Sequence, residues 1–231
     1  MAMTPQIPFD FFLPEAPRFD NFVVGNNGEA VARLLALAAG RGESSARAVA
    51  LWGGRSVGKS HLLEAVAAAS TTNSLQLSAV STFPADPFVS ARILCVDDAD
   101  QLNADQQAWL FTAFNHVAQS GGVTVATGQT PPGRWALRDD IRTRMGSGLT
   151  FELLPIPQDD LPAALSAYAA GRGFDVSNEV LTFLLSHHQR DIASLCQTLA
   201  GADRWSLALK RRVTAHLLRT YLNETLRTGG A

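Results

Sequence analysis

An apolar run, Ala48-Val49-Ala50-Leu51-Trp52, leads directly into Gly53-Gly54-Arg55-Ser56-Val57-Gly58-Lys59-Ser60, and helix-forming Leu62-Leu63-Glu64-Ala65-Val66-Ala67 follows. No other stretch constrains the fold as tightly. The middle segment fits GxxxxGK[ST] at each fixed position, and Gly54 adds a third bare backbone to the glycines at 53 and 58. Glycines let N–H groups curl round a phosphate chain, the lysine reaches its outer phosphates, and the hydroxyl after it can hold Mg²⁺. A strand entering such a loop and a helix leaving it aim a helix N-terminus at an anion. Val57 in the loop and His61 in the first helical turn are counted with it. The expectation is a nucleotide site for ADP or ATP with Mg²⁺, in which Ser60 supplies a metal-side oxygen.

The rest of the chain alternates in the same way. Apolar spacing predicts a helix from Glu29 to Ala39, stopped by Gly40, and another from Gln106 to Gln119 with Trp109, Leu110, Ala113, Phe114 and Val117 inward. Leu75–Ala79, Ile93–Val96 and Gly122–Thr127 read as strands. Strands alternating with helices predict a parallel sheet covered on both faces. Beyond Phe151 no further strand is expected; Asp159–Arg172, Ser177–His187, Asp191–Ala208 and Thr214–Leu226 predict a small all-α lobe. The expected divisions are an extended arm over 1–18, an α/β core over 19–155 and a helical lid over 156–231. With 231 residues, 46% hydrophobic and 17% charged, the chain can bury such a core. A net charge of −2 gives no bulk electrostatic reason for direct DNA binding. Cys95 and Cys196 read as core residues in a reducing compartment. No run nears the ~20 apolar residues that span a bilayer, and the N-terminus lacks a signal-peptide pattern, so a cytoplasmic protein without membrane contact is expected.

Further polar residues fall where the sheet would place them beside the loop. Asp97 follows four apolar strand residues, so it should sit at a strand's carboxyl end and order Mg²⁺ through water. Asp98 occupies the place where a carboxylate can polarise an attacking water, although aspartate is short for that reach; a solvated turn acid explains it equally well. Thr127, with Gly128 and Gln129, ends the next strand and would face the γ-phosphate, or simply form a turn before Pro131-Pro132. Arg142 and Arg144 precede Gly146-Ser147-Gly148; an arginine on a helix end at a subunit edge can enter a neighbour's site, and a solvated basic face is the plainer reading. Arg190, at the start of a helix, could fold onto the phosphates. His187-His188 has no partners at metal-ligand spacing.

Together these motifs resemble the AAA+ domain of the bacterial initiator DnaA. Phe19-Asp20-Asn21-Phe22-Val23-Val24-Gly25-Asn26-Asn27 is similar to its adenine-side box. Asp139-Asp140-Ile141-Arg142-Thr143-Arg144-Met145-Gly146-Ser147-Gly148-Leu149 is similar to its arginine-finger box, with Arg144 at the finger position. Arg190-Asp191-Ile192-Ala193-Ser194-Leu195 corresponds to its second sensor. The resemblance covers residues 19 to 226 and implies a P-loop NTPase core followed by a helical lid. Because the sequence stops at Ala231, the family's DNA-reading domain is expected to be absent.

Gln6-Ile7-Pro8-Phe9-Asp10-Phe11 is similar to the sliding-clamp peptide Gln-Leu-x-Leu-x-Leu, with Ile7, Phe9 and Phe11 at its apolar positions. An extended peptide of this kind fits a groove with side-chain pockets, or else packs on its own domain. The combination resembles the family's regulatory inactivators. It implies a structural ADP, the clamp (the β subunit of DNA polymerase III) and DnaA as partners, DNA reached through the clamp, and a nucleoid-associated place in the cytoplasm. Arg144 would then act in trans on the initiator's ATP, while the chain's own hydrolysis is weak or absent, Asp98 being its weak catalytic candidate. Homo-oligomers remain open. The alternative is a helicase-loader or DNA-remodelling ATPase that hydrolyses its own ATP.

Overall fold

A computed structural model of the chain describes residues 15–41, 47–187 and 191–228. It divides into two compact units, Pro17–Pro155 and the residues from Ile156 onward, with Glu15 and Ala16 grouped with the second.

The first unit holds five strands, β1 (Ala48–Trp52), β2 (Ser74–Ser78), β3 (Ile93–Asp97), β4 (Val123–Gly128) and β5 (Leu149–Glu152), paired in parallel in the order β2-β3-β4-β1-β5. Four helices accompany them: α1 (Gly28–Ala38), α2 (Lys59–Ala69), α3 (Ala104–Gln119) and α4 (Asp139–Ser147). The inner strands β1 and β3 are apolar on both sides because both sides are covered. Val49, Leu51, Ile93, Cys95 and Val125 pack with Leu34, Leu62, Leu63 and Val66 on one face. Ala48, Ala50, Leu94, Val96 and Ala126 pack with Leu110, Phe114, Trp135 and Met145 on the other. Alternate residues of one strand thus enter opposite cores, as the period of a strand requires.

The predicted core elements are present within a residue or two, and α3 buries Trp109, Leu110, Ala113, Phe114 and Val117. Asn103 and Gln106 close a capping box at its start. β5 was not expected as a separate strand. It is an edge strand of four residues, half-buried and exposed in turn, too short for its alternation to stand out.

The second unit packs α5 (Leu161–Gly171), α6 (Asn178–His187), α7 (Ile192–Ala208) and α8 (Ala215–Thr228). Its core includes Leu165, Leu184, Leu195, Leu199, Trp205, Leu218 and Tyr221. Gly201 lets α8 lie close on α7: a Cβ there would stand 1.9 Å from the Tyr221 hydroxyl oxygen. The Glu15 carboxylate accepts from Arg204 (3.2 Å) and from Arg172, which fixes the start of the described chain on this unit. Cys95 and Cys196 are both buried, and burial pushes each thiol up to about 12. No described helix is long and apolar enough to cross a membrane.

Candidate functional site

Strand order brings the polar residues together. β1 and β3 both pair with β4, so the loop after β1, the acids after β3 and the turn after β4 share the carboxyl edge of the sheet. That edge is where open parallel sheets take ligands.

The loop has the backbone its glycines permit. Gly53 and Gly58 take φ of 153° and 95°, and Ser56 takes 58°. A Cβ on Gly53 would come within 2.5 Å of the Leu153 carbonyl oxygen, and one on Gly58 within 2.5 Å of the Phe22 ring. Neither position accepts a side chain. Val57 turns its side chain into the core under the loop. Gly54 and Ser60 are exposed, Ser60 at the first turn of α2. Phe22 also packs against His61, ring centroids 5.4 Å apart, and His61 Nε2 lies 2.8 Å from the Arg18 carbonyl oxygen. The predicted adenine-side segment and the loop are therefore in direct contact.

Lys59 is buried, and its ammonium donates to the carbonyls of Gly53 (2.9 Å) and Gly54 (2.6 Å). Burial holds its pKa below the usual lysine value, while Asp98, Asp97 and Asp100 act the other way. The cation thus sits inside the loop on weak acceptors, facing three carboxylates. A phosphate oxygen is a stronger acceptor than either carbonyl.

Opposite it, Thr127 links the strand ends. Its hydroxyl donates to Asp97 Oδ1 (2.5 Å) and accepts the backbone N–H of Asp98 (2.9 Å). Thr127 is fully buried, so the structure shows it holding the two acids instead of presenting a free hydroxyl beyond the sheet. Asp98 takes φ 49°, and burial, then Asp97 and Asp100, raise its carboxyl pKa. Asp100 is a member that sequence reasoning passed over. It accepts the Gln129 N–H (2.9 Å) through Oδ2, while its buried Oδ1 has no partner. The run Asp97-Asp98-Ala99-Asp100 was the available signal.

Loop, lysine and acids fit a nucleotide with Mg²⁺: bare backbone at Gly53 and Gly58, a buried cation, and an unsatisfied carboxylate oxygen on the same edge. Among the described residues no three or more His, Cys, Asp or Glu form a metal cage. Mg²⁺ carried on phosphates needs few protein ligands, and Ser60 with a water-linked Asp97 would suffice.

Arg144 lies in the last turn of α4, half-buried and away from the loop's own strand edge. Its guanidinium stacks over Phe111 (4.9 Å) and Phe114 (5.6 Å) and donates to Asn115, all three on α3. Arg142 is paired with Asp139. Arg190, Gln6, Ile7, Phe9 and Phe11 lie outside the described residues.

Comparison with known proteins finds one family model in the amino-terminal part of the chain and another in its helical part. The family described as the bacterial DnaA ATPase domain matches residues 13–91, and the family described as the Hda lid domain matches residues 158–222. Domain III of the Thermotoga maritima replication initiation protein DnaA is similar at TM-score 0.67 and 20% identity, over 96% of this chain and 99% of that one. AMPPCP-bound DnaA from Aquifex aeolicus is similar at 0.61 and 18%, over 77% of this chain and 62% of that one. A Thermotoga maritima RuvB variant is similar at 0.58 and 18%, over 86% and 68%. At these identities the solved structures establish the AAA+ fold.

Proposed function

Because the chain belongs to the DnaA-like AAA+ family and carries a lid of the Hda type, we propose that it regulates the initiation of chromosomal replication. In this reading it works with the DNA-loaded sliding clamp to stimulate ATP hydrolysis by DnaA, which prevents over-initiation. Its own nucleotide is ADP, bound by the backbone of Gly53, Gly54, Val57 and Gly58 and by Lys59, with Ser60 and Asp97 toward Mg²⁺. When bound, Mg²⁺ neutralises phosphate charge. Arg190 is assigned to the nucleotide's phosphates by its place in the second-sensor motif alone, and His61 supports the adenine side through Phe22. Asp98 and Thr127 keep the acid edge in shape, and the chain's own turnover is slow.

The observation that carries the reading is how α3 holds Arg144. Two rings and an amide fix a half-exposed guanidinium in place, so little freedom is lost when phosphate oxygens of a partner's nucleotide replace Asn115 as acceptor. A finger supplied in trans gives ~10³–10⁵-fold in related phosphate-loop enzymes. The Gln6–Phe11 peptide tethers the protein to the clamp, and the raised effective concentration lets each separate contact be weak.

The test mixes the protein with clamp on DNA and ATP-loaded DnaA, and follows ADP formation. Arg144→Ala is expected to return hydrolysis to the initiator's own rate, with ADP binding and clamp co-elution intact. Undiminished stimulation by that variant would overturn the role of Arg144. Gln6→Ala is expected to lose clamp co-elution. Should the purified protein alone hydrolyse ATP rapidly and respond to single-stranded DNA, a helicase-loader activity replaces this reading.

A further inference from the structure

At the amino-terminal edge of the sheet, opposite the phosphate loop, the core unit has a cavity of about 130 Å³. Arg33, Arg41, Arg47 and Arg92 line it, and among the described residues of the lining there is neither Asp nor Glu. Each reaches the rim through the local structure. Arg41 follows the stop of α1, where Gly40 donates its N–H to the Leu37 carbonyl (3.0 Å) and Arg41 its N–H to that of Ala36 (2.8 Å). Arg47 and Arg92 stand immediately before β1 and β3, and their carbonyls accept from Thr124 (3.1 Å) and Val123 (2.9 Å) as β4 begins. Gly121, at φ 78°, turns the chain beneath the Arg92 guanidinium.

Structural duties account for part of this cluster. Arg92 Nη1 donates to the Ser120 carbonyl (2.7 Å) and so caps α3, and Arg33 is also engaged. Arg41 and Arg47 are different. Both are exposed, and among the described residues neither side chain has a hydrogen bond or an ion pair. The α1 carbonyls that would attract a cation are already capped by Ala39, Gly40, Arg41 and Thr71. The chain has 21 acids for 19 bases, so four arginines among the described residues around one cavity is a concentration that its composition does not force. Like charges so placed repel until an anion joins them.

The geometry points to a second anion site at this edge, taking a phosphate group between Arg41 and Arg47 with Arg92 at the side. Arginine forks match the geometry of phosphate oxygens, and the cavity has room for one tetrahedral group. The phosphate belongs either to a free phosphate or phosphate ester, or to a polynucleotide backbone running past the rim. This site is separate from the nucleotide loop, which lies at the carboxyl ends of the same strands.

The experiment uses ADP-saturated protein, so that the loop is filled. Inorganic phosphate, and separately a short single-stranded oligonucleotide, are titrated in while the backbone amides of Gly40, Arg41, Gly121 and Gly122 are followed by NMR. Saturable shifts are expected there, with the amides of Gly58 and Lys59 unmoved. The double variant Arg41→Gln/Arg47→Gln should weaken them at least about tenfold, as loss of charge-assisted bonds implies. Tighter binding of the oligonucleotide than of phosphate assigns the group to a polynucleotide; equal or weaker binding assigns it to a free phosphate. Absence of saturable shifts with both probes, or the same affinity in the double variant, overturns the site.

Discussion

Thr127 uses its one hydroxyl twice, as donor to Asp97 and as acceptor from the Asp98 backbone, in a fully buried place between two strands. Thr127→Val keeps the shape and removes both bonds. It is expected to cost about 1–3 kcal/mol in urea denaturation and to weaken ADP binding, because Asp97 loses its anchor. An unchanged midpoint would show that the pair contributes nothing net. Asp98 gives a prediction with a definite sign. Burial, Asp97 and Asp100 raise its carboxyl pKa, so the folded state holds that proton more tightly than the unfolded chain. Its favourable contribution is complete below the ordinary carboxylate pKa and is lost as pH rises through the raised value, leaving an ionised Asp98 that opposes folding at neutral pH. Asp98→Asn, acceptable at φ 49°, should therefore raise Tm at about pH 7 and leave it nearly unchanged at about pH 3. Lys59 and Asp97 were legible because their spacing is a local signal. The Thr127 bridge was not, since its partners lie 30 and 29 residues away and meet only through strand pairing.

Elements are joined by a few contacts that substitutions can address one at a time. Asn27, just before α1, ties that helix to the sheet: its side chain donates to the Leu154 carbonyl (3.0 Å) and accepts the Leu154 N–H (2.8 Å) just past β5. Asn27→Ala leaves both backbone groups short of a partner, and a loss of about 2–3 kcal/mol is expected by chemical denaturation. Asn27→Asp, which retains only the acceptor, should fall between the two. In the helical unit, Gly201→Ala drives a methyl against Tyr221 and is expected to destabilise by about 1–3 kcal/mol. Placing it in a Tyr221→Phe background should give a smaller loss, the signature of a shared contact. The helices were readable from periodicity because each buries one stripe. β5 was not, because four half-exposed residues carry no distinctive pattern and only the edge of β1 makes them a strand.

For the whole molecule, binding to the folded state is the broadest check on the nucleotide site. ADP at 100 times its Kd is expected to stabilise the protein by about 2.7 kcal/mol, read as a rise in Tm, and Lys59→Ala should abolish the rise. A rise of equal size in that variant would place the nucleotide elsewhere. The sequence by itself determined the kind of protein this is: a strand–loop–helix with the lysine and serine in place, buried strands alternating with amphipathic helices, and four closing helices. Those are local patterns, fixed by glycine's freedom at positive φ and by the periods of strand and helix. Only the tertiary structure decided what meets what. Insertion of β1 between β4 and β5 sets the phosphate loop beside Thr127, Asp97 and Asp100, and gathers Arg33, Arg41, Arg47 and Arg92 at the opposite edge. Strand order is settled by how two helical layers pack on one sheet, a non-local balance of buried area that no short stretch of residues encodes.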